Sequence, residues 1–239
     1  MPGGNTFGDI KYAFHDYSYS MDIDRLDALL SRFSLNARLF FSGSLCGVHD
    51  FDEGEGVGHI HVVQRGPVTV HHAPGSPVGV LQVDTPSLLF YPRPLGHRFI
   101  TDPHTGADMV CASLSYNAGP VNPIANALPP LMAVPLRDLP ELAPIIELLF
   151  AEASGKFCGR QSVLDRLFEI LIIHLLRKAM NQKLVNSGLL AGLAHPQLAR
   201  ALVAMHERPA DGWTLESMAA EAGMSRSVFA NTFREAVGL

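Results

Sequence analysis

Gly58-His59-Ile60-His61-Val62-Val63-Gln64-Arg65-Gly66 is the stretch on which the fold turns. The run from His59 to Val63 ends at Gly66-Pro67, the pattern of a strand closed by a turn. Residues two apart on a strand share a face, so His59 and His61 point the same way. The same punctuation repeats outward. Leu39-Phe40-Phe41, Val68 to His72, Val78 to Val83, Ser87 to Tyr91 and Met109 to Leu114 are short runs, and Pro74-Gly75-Ser76-Pro77 and Asp102-Pro103 are turns among them. Many short strands at close spacing predict a barrel or sandwich of jelly-roll type.

The second half reads differently. Beyond a Pro-rich connector, Ala118 to Pro135, the chain turns rich in Leu, Ala and Ile, so the expected class is α+β with strands first. Ahead of the strands, Met21 to Ser34 predicts a short helix through Leu26, Leu29, Leu30 and Phe33. Glu141 to Ala153 puts Leu142, Ile145, Ile146, Leu149 and Phe150 on one stripe. Ser162 to Met180 carries apolar residues beyond one stripe, among them Leu167, Phe168, Leu171 and Ile172, and two readings stay open. It is the central helix of the chain's own core, or those four residues form a homodimer contact.

The 239 residues, 47% hydrophobic and 17% charged, can bury a core larger than one small domain. Cys46, Cys111 and Cys158 form neither an even disulfide framework nor a Cys-x-x-Cys pair, which predicts a reducing, cytoplasmic setting. The first residues lack a signal-peptide core, and no segment approaches the ~18 uninterrupted apolar residues of a membrane span. The net charge is −5, and residues 196–239 hold four basic against five acidic side chains, a mark against nucleic-acid binding.

That mark competes with a strong local pattern. Pro196 suits a first helical turn, and Leu198, Ala201, Leu202 and Met205 follow at helical spacing. Thr214 is a cap for a helix from Leu215 to Ala222, Gly223 a left-handed turn, Ser225 a cap for Arg226 to Val237, and Gly238 a stop. Cap, short helix, glycine turn, cap and longer helix is helix-turn-helix grammar, although a helical hairpin with a solvated face shares the spacing. In the last helix Val228, Phe229, Phe233 and Val237 form the expected inner face, leaving Ser227, Ala230, Asn231 and Arg234 outward. Asn can contact adenine bidentately.

Trp213-Thr214-Leu215-Glu216, Met218-Ala219, Ala222 to Ser227, Phe229, Phe233-Arg234 and Val237-Gly238 resemble the first helix-turn-helix of AraC/XylS-type regulators. The resemblance implies base reading by Ser227, Ala230 and Asn231 and phosphate contacts by Arg226 and Arg234. It also implies a chain that stops, at Leu239, where the long helix leading to a second helix-turn-helix should begin. Gly58 to Gly66 and Tyr91-Pro92-Arg93-Pro94-Leu95-Gly96-His97 resemble the two motifs of cupin sensor domains that precede such regulators. The implied order is an arm (1–20), a cupin-like barrel (21–135), helices for linkage and dimerisation (136–190) and a partial DNA-binding domain (191–239).

Enzymatic cupins add a Glu shortly after the His pair, where this chain has Gln64, Arg65 and Gly66. By the resemblance Cys46, His61, His97 and Cys111 form a set suited to tetrahedral zinc, with His59 an alternative ligand. The competing reading is four separate buried side chains. His71-His72 reads as a solvated strand end, and Arg93 as a surface residue or a contact for an anionic ligand. The function so read is a DNA-binding regulator responsive to a metal or an unidentified small molecule, not an enzyme; the alternative is a metal-dependent cupin oxygenase or isomerase with an oligomerising tail.

Overall fold

Nine strands and eight helices of the computed structural model are described, over residues 24–117, 122–185 and 187–238; the expected arm, 1–20, and the start of the expected first helix lie outside them. α1 (Asp27–Arg32) starts where the Asp24 carboxylate accepts from the backbone N–H of Leu26 and Asp27. The strands are β1 (Leu35–Leu45), β2 (Val48–Phe51), β3 (Gly58–Arg65), β4 (Val68–His72), β5 (Leu81–Val83), β6 (Ser87–Tyr91), β7 (His97–Ile100), β8 (Ala107–Tyr116) and β9 (Met132–Pro135). They form two antiparallel sheets, ordered β1-β8-β3-β6-β9 and β2-β7-β4-β5, the jelly roll expected from the run-and-turn pattern.

Alternation sorts the five-stranded sheet into two faces, both buried at the central strands β3, β6 and β8. On β3, Val63 joins the core between the sheets while Ile60 and Val62 join a second core under the helices. On β6, Leu89 and Tyr91 face inward and Leu88 and Phe90 outward. β1 changes allegiance midway. A bulge between Leu39 and Phe41 shifts its register on β8, so Ala37 and Leu39 pack under the helices whereas Phe41 and Leu45 face the interior. The bulged residue, Phe40, is left 48% exposed at the barrel mouth.

The helical layer starts with α2 (Pro123–Ala127) and continues through α3 (Ala143–Ser154) and α4 (Arg160–Asn181), which pack on each other and on β1. On α4 the residues Leu164, Leu167, Phe168, Leu171, Ile172, Leu175, Leu176 and Ala179 are buried within this one chain, following one wide stripe. Leu167, Phe168, Leu171 and Ile172 therefore cannot be a homodimer contact; the core reading is the correct one. Of the apolar residues off the stripe, Val163 and Ile170 stay exposed. α5 (Leu189–Ala194) straddles the boundary expected between residues 190 and 191, α6 (Pro196–Glu207) starts at its expected proline, and α7 (Leu215–Ala222) and α8 (Arg226–Val237) have the bounds that their caps predict. Among the described residues no helix is long and apolar enough to cross a membrane.

Because α4 belongs to the core, Ile172→Glu should unfold the chain rather than release soluble folded monomers, and Phe168→Ala should cost about 3–5 kcal/mol in urea denaturation. An Ile172→Glu chain with parental stability would contradict this packing.

Candidate metal centre and nucleic-acid interface

The inward face of β3 carries His59 and His61 into the space between the sheets, and β7 brings His97 to them from the other sheet. One ligand nitrogen from each lies within 4.8 Å of the other two, and the three residues are buried. The hydrogen-bond network assigns two of the tautomers. Nδ1–H of His97 donates to the Leu95 carbonyl at 2.7 Å, so its Nε2 keeps the lone pair. Nε2–H of His61 donates to that Nε2 at 3.0 Å, and Nδ1 of His61 is left a buried acceptor without a hydrogen bond. Such an atom costs about 1–3 kcal/mol, so the arrangement is not one that packing alone favours.

Burial keeps the His61 and His97 rings neutral. Burial drives the His61 pKa well below the usual histidine value, with the neighbouring His97 and His59 adding to the effect. Burial likewise lowers His97 to about 3, against the opposing bond to Leu95. Neutral imidazoles are the form that binds metal. The 3.0 Å between two Nε2 atoms is also close to the ~3.3 Å that follows from tetrahedral geometry at Zn–N distances of about 2.0–2.1 Å.

Aromatic rings fix His97. Tyr91 lies nearly parallel to it, with centroids 4.0 Å apart and planes at 7°, and Phe51 does so at 4.9 Å and 15°. The Tyr91 hydroxyl donates to Nε2 of His72 at 3.0 Å, and Nδ1–H of His72 donates to the Gly79 carbonyl at 2.6 Å. His72 is thus no solvated strand end. It pairs with His97 across β4 and β7, and Val68 and Val70, alternating with it, already marked its inward direction. A cleft of about 500 Å³ lined by Phe51, His71, His72, Leu95, His97 and Arg98, among others, opens beside the group.

The expected Cys2His2 set is not assembled. Cys111 is buried opposite His61 in the β3–β8 ladder, but it does not join the three histidines, and burial raises its thiol pKa. Cys46 is exposed at the far end of β1, where its Sγ lies against the Gly106 turn. The bulge at Phe40 and the reversal after Leu45, both invisible in the spacing, decide this. His59, the alternative ligand, takes part instead, and among the described residues no carboxylate belongs to the group.

In the C-terminal helices, Thr214 and Ser217 cap α7 reciprocally, Gly223 takes φ +65° at the turn, and the Ser225 hydroxyl accepts from Val228 N–H to start α8. Phe229 is buried, while Ser227, Asn231, Arg226 and Arg234 are exposed and Ala230 is half-buried on the flank. Val228, expected inside, is 51% exposed and stands beside the outward face. Arg226 meets Glu216 at 2.8 Å, and Arg234 donates to the Asn231 side-chain oxygen at 3.5 Å. An ion pair this exposed is worth only about 0–1 kcal/mol, so a phosphate can compete for Arg226.

Residues 24–181 match the cupin family model Cupin_6, and residues 205–239 match the model of bacterial regulatory helix-turn-helix proteins of the AraC family. Over 91% of its length the chain is 27% identical to an uncharacterized HTH-type transcriptional regulator of Haemophilus influenzae, covering 78% of that protein. It is 25% identical to the HTH-type transcriptional regulator MtrA of Neisseria gonorrhoeae over 86% of this chain and 74% of that one. A shorter match, 40% over 79 residues, links 33% of the chain to 26% of the HTH-type transcriptional regulator AlkR of Acinetobacter baylyi.

With the three imidazoles as the donor set, His61→Ala should weaken binding of a divalent transition-metal ion about 100-fold or more in calorimetric titration, whereas Cys46→Ser should leave it unchanged. Loss of binding in Cys46→Ser would restore the thiolate set.

Proposed function

The chain belongs to the cupin family and carries an AraC-type helix-turn-helix, making it a DNA-binding transcriptional regulator, and from that premise we propose that its barrel is a zinc-dependent sensor. The observation that carries the proposal is the buried convergence of His59, His61 and His97. Three imidazoles without a carboxylate suit zinc with one position open, and the cleft beside His97 gives a small-molecule effector access to that side. Bound there, zinc would supply Lewis acidity at the open position and a fixed centre for the three rings. The chain's own residues do the rest. Leu95 and Tyr91 orient His97, and Phe51 and Phe99 pack around the rings and exclude water.

On the DNA side, α8 presents Ser227, Asn231 and Arg234 to the major groove, with Ala230 at the edge of that face and Arg226 toward the backbone. Ser227 and Ala230 are small, so the direct readout falls mainly to Asn231. Two copies acting together belong to the same reading, and Val163 and Ile170 are the apolar α4 side chains left for a second chain. A monomer in sedimentation at micromolar concentration would remove that part.

Asn231→Ala should cost about 1–3 kcal/mol on the operator and relax preference at one base pair. Arg234→Ala should weaken all duplexes alike and lower the slope of log K against log salt by about 1. Equal affinity of the parent for operator and random duplex in a salt-titrated binding assay would overturn the DNA assignment.

A further inference from the structure

Arg93 sits four residues before His97 on the loop joining β6 to β7. It neither faces an open ligand site nor lies idle on the surface. Its Nη1 donates to the carbonyls of Ala125, at 2.5 Å, and Leu128, at 2.8 Å, which end α2 and would otherwise lack partners. Five residues make too short a helix to persist unaided, and α2 is held from outside at both ends. The Asn122 side chain accepts from Ile124 and Ala125 N–H at its start, and Arg93 clasps its finish.

From α2 the contacts lead into the DNA-binding half. α2 packs on α5, and α5 packs on α8. The Gly188 N–H donates to the Ala236 carbonyl at 3.0 Å. Gly192 lies so close to its neighbours that an added Cβ would come within 2.7 Å of Leu202 Cδ1 and 3.1 Å of Val237 Cγ2. The recognition helix is therefore seated on α5 through its C-terminal turn.

The other end of the clasp is equally constrained. Pro92 and Pro94 fix their own φ and restrict the residues before them, Arg93 included, to extended backbone, which stiffens the loop. Tyr91 stacks on His97, and Leu95 receives the His97 Nδ1–H, so the loop is fastened to the imidazole group at both ends. A shift of His97 must carry Leu95, and through the stiff loop, the guanidinium that holds α2.

We infer that Arg93 is a positioning residue that couples the histidine group to the recognition helix by clasping α2 onto the β6–β7 loop. The inference rests on the barrel's role as sensor only for the source of the displacement. Coupling of this kind needs an element with two arrangements that both ends bias, and α2, held or released, is that element.

Amide hydrogen exchange on the full chain tests it, with two separate perturbations of the barrel: added zinc, and His97→Ala. With Arg93 present, each should change exchange in α5 and in the last turn of α8. In Arg93→Ala, both responses should vanish and α5 amides should exchange roughly tenfold faster, since charge-assisted bonds are lost, while β3 and β6 protection and the zinc bound per chain stay parental. Arg93→Lys, able to reach one carbonyl, should restore part of the response. Should Arg93→Ala fail to fold, Gly192→Ala pushes α5 from Leu202 and should cut the same response with the clasp intact. If α8 answers neither perturbation, or answers fully in Arg93→Ala, the coupling is wrong. If zinc does not bind the parent, the metal reading falls and the His97→Ala arm alone decides the clasp.

Discussion

A sheet whose central strands have no face left for water governs this molecule. β3 and β6 run through the middle of the five-stranded sheet with one set of side chains in the barrel and the other under the helices. Period-two alternation then leaves no freedom: if Ile60 and Val62 pack against the helical layer, His59 and His61 must enter the barrel. A one-residue slip would place both imidazoles in the apolar core under the helices. The same constraint makes α3 and α4 part of the barrel's stability, because without them the outer face of the sheet would lie open. The neutral, partly unsatisfied His61 follows directly from this burial.

Where information is local, the sequence carried it. The caps at Thr214 and Ser225, the left-handed Gly223 and the stop at Gly238 each depend on a few adjacent residues, and α7 and α8 fall where those signals put them. β3, β6 and the α+β order were readable for the same reason. Long-range facts were not. The bulge at Phe40 shifts the phase of β1 so that Leu45 faces inward and Cys46 is exposed, and the ligand set that the resemblance implied therefore included a cysteine that the register excludes. β7 and β9 are short and bounded by Pro or Gly, and each is a strand because a neighbour pairs with it rather than by its own pattern. The breadth of the α4 stripe suggested a second chain, yet β1, α3 and α5 supply the cover. His72 was passed over although Val68 and Val70 give its direction.

The DNA-binding half balances its charge by pairing. Arg208 contacts Asp211 and Glu221 and lies over the Trp213 ring, and Arg226 meets Glu216, so both cations rest on acids. Exposed pairs of this kind add little to stability, which keeps the cost of exchanging an acid for a phosphate small.

What surrounds a metal between the two sheets decides whether the three histidines are its ligands. An X-ray absorption spectrum at the zinc edge of the loaded protein measures that directly. Nitrogen scatterers alone, at about 2.0–2.1 Å and with imidazole outer-shell features, are the result expected from His59, His61 and His97. A sulfur scatterer near ~2.3 Å would put Cys111 or Cys46 in the set and contradict the arrangement described here.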